Sequence, residues 1–198
     1  MISYQREKDA ILYITEQYEK NPAITTVTHR NFNRIDNFSA FLTASPAVGS
    51  WHPQLTVGVQ KQWAKIEHNG ETLQMDTPLF FCTLNNGIQL PYHWTLSTDI
   101  NFQSKGDYQN IYMYQNVFMM NATLTKSFLN EHLSIHLQGI DLTHGRKDGN
   151  RIYNKHMNMD VANVSDSREL RFTIRYKFNT AKSKYKGKGA ATEEIKRL

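Results

Sequence analysis

The 198-residue sequence contains a single cysteine, Cys82, so it can form neither an intrachain disulfide nor a cysteine-based zinc site. Long apolar runs are missing as well. No stretch approaches the roughly 20 consecutive apolar residues of a spanning helix, which excludes a helical membrane protein. A membrane barrel stays open, because a barrel strand is apolar on one face only and averages to a polar composition. The 39% apolar content suits such a strand. At the start, Met1-Ile2-Ser3-Tyr4-Gln5-Arg6-Glu7-Lys8 lacks a charged segment followed by an apolar one, so the chain as written is expected to carry no export signal. A length of 198 residues would allow one or at most two soluble domains, which leaves composition and pattern to decide.

Catalytic fingerprints are absent too. No Gly-x-Ser-x-Gly, phosphate-binding loop or dinucleotide motif occurs. Gly145-Arg146-Lys147-Asp148-Gly149-Asn150 has the composition of a phosphate loop without its spacing, and reads as a surface turn. Eight histidines (His29, His52, His68, His93, His132, His136, His144, His156) form no His-Glu-x-x-His. On a strand, His132 and His136 share a face but lie about 13 Å apart, too far for one metal. His136 reads instead as a polar residue of a lumen. Ser134 or Ser127 beside His136 is the one imaginable nucleophile pair, and neighbouring polar-face residues produce such pairs by chance. The expectation is no enzyme, no cofactor and no metal.

The net charge of +5 is concentrated at the end, where Lys182, Lys184, Lys186, Lys188, Lys196 and Arg197 face only Glu193 and Glu194. This reads as a solvated basic tail, with no nucleic-acid partner. Residues 192–198 predict at most one frayed helical turn.

Proline is scarce at five residues, and aromatics are plentiful: ten Tyr, ten Phe and three Trp. This bias favours strands. Period-2 alternation, the mark of a strand with one apolar face, recurs along the chain. Trp94, Leu96, Thr98, Ile100 and Phe102 alternate with His93, Thr95, Ser97, Asp99, Asn101 and Gln103. Phe118, Met120, Ala122, Leu124 and Phe128 alternate with Asn121, Thr123, Thr125 and Ser127, with Lys126 intruding on the apolar phase. Leu133, Ile135 and Leu137 alternate with Ser134, His136 and Gln138. Leu170, Phe172, Ile174, Tyr176 and Phe178 alternate with Glu169, Arg171, Thr173, Arg175 and Lys177. Leu55-Val57-Val59 and Phe38-Ala40-Leu42-Ala44 add two more strands; segments 10–18 and 78–88 are apolar-rich strands that alternate poorly.

Compact turns are expected at Ser45 to Pro53, Gln89 to Tyr92 and Leu129 to Glu131, about 40 residues apart. Longer polar links fall between them, at His68 to Thr77, Ser104 to Ile111 and Thr143 to about Asp166. The fold class is therefore all-β, an antiparallel meander of about ten strands with short turns at one end and long loops at the other. Trp51, Tyr92, Trp94, Phe128, Tyr176 and Phe178 gather near the compact-turn end, where an interfacial aromatic girdle would lie. Alternation also fits a soluble β-sandwich or lipocalin-like binding module, whose apolar face looks inward rather than to lipid. Pattern alone leaves both readings open.

The last strand, Arg168 to Phe178, resembles the closing strand of outer-membrane barrels, which finish on alternating aromatics. The tail Lys184-Tyr185-Lys186-Gly187-Lys188-Gly189-Ala190 with Glu193-Glu194 and Arg197-Leu198 is similar to that of the Bacteroidetes outer-membrane β-barrel family related to TonB-dependent receptors. Asn31-Phe32, Pro46 with Gly49 and Trp51, Leu90-Pro91 with Trp94, and Thr125-Lys126-Ser127-Phe128-Leu129 with Asp141 agree in order and spacing. The resemblance implies the C-terminal part of a transmembrane β-barrel over residues 1–178, followed by a basic periplasmic tail at 179–198. It implies import of a ligand across the cell outer membrane, with Phe172, Ile174, Tyr176 and Phe178 in the signal read by the barrel-assembly machinery. The implied partners are outer-membrane lipid and that machinery. The family's plug, TonB-contacting segment and signal peptide have no counterpart in this sequence. A missing N-terminal barrel and plug, or another chain, would therefore complete it.

Overall fold

The computed structural model describes residues 1–178 apart from residues 19, 22, 69, 110, 154–157 and 165; the basic tail and the helical turn expected at 192–198 lie outside the described residues. The strands are β1 (Ile2–Gln17), β2 (Thr25–Ala44), β3 (Trp51–His68), β4 (Glu71–Met75), β5 (Leu79–Leu90), β6 (Trp94–Gln103), β7 (Gly106–Tyr108), β8 (Ile111–Met113), β9 (Val117–Phe128), β10 (Leu133–Ile140), β11 (Lys147–Tyr153), β12 (Asn158–Val164) and β13 (Glu169–Tyr176). The large sheet runs β1-β2-β3-β5-β6-β9-β10-β13, every pairing antiparallel, with β4 extending β3. A second sheet, β12-β11-β8-β7, is made from the long connections.

Side chains that stand opposite each other across neighbouring strands share a face. One row across six strands therefore reads Trp51, Ile88, Leu96, Leu124, Leu137, Phe172. The adjacent row, one residue along each strand, reads His52, Gly87, Ser97, Thr123, Gln138, Arg171. A slip of one residue in any strand would exchange the two chemistries, so a single register satisfies the whole sheet. Further apolar rows, Ala44-Leu55-Leu84-Ile100-Met120 and Leu42-Val57-Cys82-Phe102-Phe118, build a band about the height of a bilayer's hydrocarbon region.

Among the described residues nothing covers this band. Leu170, Phe172 and Ile174 are 75%, 62% and 60% exposed. A sandwich would lay a second sheet over these side chains, whereas the second sheet here sits at the ends of the strands. The opposite face is lined mainly with Thr, Ser, Asn and Gln, with Asp99, His136 and Arg171 among them. Its main apolar exception is Phe41 and Phe81, whose rings lie 4.9 Å apart across Gly58, the residue that faces both in the register. A Cβ at Gly58 would come within 2.1 Å of the Phe81 ring, so the glycine makes room for the aromatic pair.

The first three strands are longer than a bilayer requires: 16, 20 and 18 residues against roughly 9–11. Above the band their excess packs with β4 around Ala10, Leu12, Ile35, Ala64, Ile66 and Met75, against which Tyr112 of β8 and Tyr153 of β11 lie. The only buried apolar cluster among the described residues is therefore at the loop end. It also explains why β1 alternates poorly in sequence. Leu12 is buried in this core while Ile11 and Tyr13 are exposed on the other side, so apolar residues occupy both phases. Asp9, with φ +52, interrupts the extended backbone where the band ends and the loop core begins.

The expected compact turns are present between β2 and β3, β5 and β6, and β9 and β10. The long links depart from the expectation of polar loops, because each contains strands. Short length and apolar residues too few to make an amphipathic face hid β4, β7, β8, β11 and β12 from alternation. Eight long strands make the meander where alternation counted about ten.

Candidate functional site

The loop end carries the chemistry that the band lacks. Four polar or charged residues are buried among the described residues, Asp36, Gln62, Asp107 and Asp141; the last three each fix a loop or a strand end, and Asp36 gathers side chains of β1 and β2. The Gln62 amide on β3 donates to the backbone carbonyl of Gln109 (2.7 Å) and accepts from its N–H (2.6 Å). Both halves of a side-chain amide thus close on the backbone of one residue and pin the β7–β8 connection to the barrel. Asp107 accepts from the Thr77 N–H (2.7 Å), while its own N–H donates to the Thr77 carbonyl (3.0 Å).

Asp141 follows β10 and is 2% exposed. Its carboxylate accepts from the backbone N–H of Gly145 (2.8 Å) and Arg146 (3.4 Å) and from the Ser167 hydroxyl, so it ties the loop leaving β10 to the segment entering β13. Asn121 of β9 accepts from the Asp141 N–H at 2.9 Å. Burial alone would push this carboxyl up. The hydrogen bonds from Ser167, Gly145 and Arg146, with His144 nearby, overcome it and hold the group below its usual value. Gly145 is required here, since a Cβ would fall 1.5 Å from the Phe118 carbonyl oxygen. In the second sheet Arg151 and Asp160, paired across β11 and β12, form a two-pronged ion pair at 2.7 and 2.9 Å. It lowers the Asp160 carboxyl and raises the Arg151 guanidinium.

Just beyond the apolar band, Asp36 of β2 accepts from Arg34 (2.5 Å), Arg6 (2.7 Å) and the Tyr4 hydroxyl (2.7 Å). Arg34 and Arg6 hold its carboxyl well below the usual carboxylate range. Pairing of β2 with β3 starts at Ile35 and Ala64; beyond that point β3 pairs with β4. The β1–β2 and β3–β4 hairpins therefore part, and between them lies a cleft of about 590 Å³ lined by Arg30, Arg34, Asp36, Trp63, Lys65 and Tyr153, among others. Volume and mixed lining suit a small polar ligand with a planar or apolar part.

At the other end of the strands the aromatics gather as expected. Lys126, the intruder in the apolar phase, reaches the Tyr92 carbonyl with its ammonium 5.0 Å from the Trp94 ring centre and 5.5 Å from that of Phe128. Trp51 donates to the Asn86 side chain at 3.2 Å. Of the C-terminal residues, Phe172, Ile174 and Tyr176 stand opposite Leu137, Ile135 and Leu133 on the apolar face, and Phe178 lies just past β13 with its ring 4.6 Å from that of Tyr176.

The histidine weighed as half of a nucleophile pair does meet its neighbour. His136 Nε2 is 2.9 Å from the Ser134 hydroxyl, and Nδ1 is 3.0 Å from the Thr125 hydroxyl of β9. Ser127 stands opposite Ser134 rather than against the ring. The second ring nitrogen thus meets a hydroxyl and not an orienting carboxylate. β10 is paired on both sides, which commits its backbone donors to the ladder and leaves none to stabilise an oxyanion. The three residues form a polar cross-strand ladder. Among the described residues no group of three or more His, Cys, Asp or Glu could hold a metal ion.

Sequence reasoning missed Asp36, Gln62, Asp107 and the role of Asp141. Phase could have found the first: Asp36 falls in step with Phe38, Ala40 and Leu42, so a charge stands where the strand otherwise turns an apolar side chain outward.

A family model described as an outer membrane protein β-barrel family matches residues 1–176. No curated protein and no solved structure matches the chain. The uncovered apolar band, the single register across the meander and this match over nearly all of the described residues agree, and the chain belongs to the outer membrane protein β-barrel family.

Proposed function

We propose that the chain is the C-terminal part of a larger, TonB-dependent-receptor-like barrel of the cell outer membrane that takes up a ligand, with its loop-end sheet forming the surface the ligand meets. The observation that carries this reading is the uncovered apolar band beneath a loop end built from buried polar anchors. Such a molecule is suited to lie in lipid and to hold shaped loops above it. The large sheet has two edges, since β1 pairs only with β2 and β13 only with β10 among the described residues. Unpaired strand edges are not tolerated in lipid, so β1 and β13 pair with strands of a longer polypeptide or of another chain, a second copy of this one included; the receptor relation adds a plug. Phe172, Ile174, Tyr176 and Phe178 act as the signal for the barrel-assembly machinery. On this reading the polar face transmits its ligand rather than transforming it, and the chain is not an enzyme.

The test expresses the chain behind a signal peptide and follows its fractionation and heat-modifiable gel mobility. Recovery in the outer membrane with a heat-dependent mobility shift is expected; a soluble, folded monomer in buffer would sink the reading. For the receptor relation, the reading frame upstream of Met1 is expected to encode a plug, and a frame that encodes none removes that relation.

A further inference from the structure

The outward face of β1 to β3 differs from the rest of the barrel just above the apolar band. Tyr4 stands opposite Phe38 and Ile2 opposite Ala40, which fixes this face as the continuation of the band. One pair higher, Arg6 faces Asp36 and Asp36 faces Trp63; Lys8 faces Arg34 another pair up. The contacts from Tyr4, Arg6 and Arg34 to Asp36 show that these side chains do emerge together. On β3, Lys61 and Lys65 flank Trp63 in the same phase, and the Lys61 ammonium lies 5.2 Å from the Trp63 ring centre. Five cations therefore share this face with Asp36, which Arg6 and Arg34 already occupy, and with Asp76 just past β4, whose carboxylate accepts from Gln74. Toward the loop end of the same face, β5, β6 and β9 offer Phe80, Phe102 and Phe118 and no charge. The cations are thus confined to three strands.

We propose that this patch binds the phosphate groups of lipid headgroups in the leaflet on the loop side of the membrane. Its level carries the argument. Long basic side chains at the margin of an apolar band lay their methylenes on it and extend their charge into the headgroup layer. A soluble anion drawn through the pore would instead meet the opposite face. Trp63 is the amphipathic ring such an interface favours. The adjoining cleft, into which Arg34, Trp63 and Lys65 project, gives a bulky sugar-phosphate headgroup room to seat. Lys8, Lys61 and Lys65 pair with no carboxylate among the described residues, so their charge is available to a lipid phosphate.

This inference rests on the apolar face meeting lipid, and its test separates the two. The full chain is reconstituted in phosphatidylcholine vesicles, and its association with a labelled phosphatidic acid is compared with that of labelled phosphatidylcholine. Heat-modifiable mobility is recorded on the same samples. The unmodified protein should prefer the phosphatidic acid by about tenfold, and Lys8→Gln/Lys61→Gln/Lys65→Gln should bring that close to parity. Raising the salt on the unmodified protein should do the same, which keeps the test decisive if the triple variant does not fold. Equal association of the two lipids, an unchanged preference in the folded triple variant, or displacement of the lipid by inorganic phosphate overturns the proposal; the last would mark a soluble-anion site. An unmodified chain without heat-modifiable mobility overturns the barrel reading and this inference with it.

Discussion

The band and the loop end are built on opposite rules. In the band, apolar side chains are left uncovered and the polar face is mainly Thr, Ser, Asn and Gln, with a few charged or ionisable residues such as Asp99 and Arg171. At the loop end, apolar side chains are buried and single polar residues each hold one connection. Lipid supplies the partner that the band lacks, so any apolar residue of suitable size serves there. No solvent effect alone fixes the path of the long connections, and each anchor does a job that a neighbour cannot take over. The band should therefore tolerate substitutions that keep polarity and fail on those that change it. The loop end should fail one anchor at a time.

The largest effect expected follows from placing a charge on either side of one strand. Leu124→Arg puts a guanidinium on the lipid face and should destabilise the barrel in vesicles by roughly 2–4 kcal/mol, whereas Thr123→Arg, one residue away on the polar face, should cost little. Denaturant midpoints of the two variants measure this directly. Equal costs would erase the distinction between the faces.

Asp141→Ala should remove about 1–3 kcal/mol from the local stability of the loop, because it strands the Gly145 and Arg146 N–H groups and the Ser167 hydroxyl. Limited proteolysis between Thr143 and Asp166 should speed up while the band keeps its heat-modifiable mobility. Because the folded Asp141 carboxyl lies below its unfolded value of about 4, its stabilisation is present above that pH and is lost as pH falls through the folded-state value. Acid should therefore loosen this loop before the band in the native protein, and Asp141→Asn should flatten the dependence. Parallel acid sensitivity in the two proteins would count against the anchor.

Gly58→Ala sets the smallest expectation, a loss of about 1 kcal/mol as the Phe81 ring swings aside for the new methyl. A stabilised variant would show that the ring does not occupy that space.

How much of this was legible in the sequence follows the same division. The band was readable because lipid imposes period-2 chemistry on every strand, so Leu96 or Ile174 announces its face without knowledge of its neighbours. The compact turns and the girdle position of Trp94 and Phe128 followed from where those strands stop. The second sheet was not readable, since β7 and β8 are three residues each and are held by contacts up to 47 residues away, as between Gln62 and Gln109. A glutamine in a strand gives no local sign that it will grip a distant peptide. The cleft stayed hidden for a related reason: it exists because two hairpins part above Ile35 and Ala64, a property of pairing rather than of residue type. Charges in the apolar phase were the visible trace of both ends, Lys126 at one margin and Asp36 with Lys61 at the other.

The central claim, that the apolar phase faces lipid, is tested most directly by single-cysteine spin labels at successive positions from 94 to 103 in a Cys82→Ser background. Cys82 is replaced because it lies on the same face. In vesicles, collision with oxygen should peak at positions 94, 96, 98, 100 and 102, and collision with a water-soluble nickel chelate at those between. The opposite phase, or no alternation, would contradict the account.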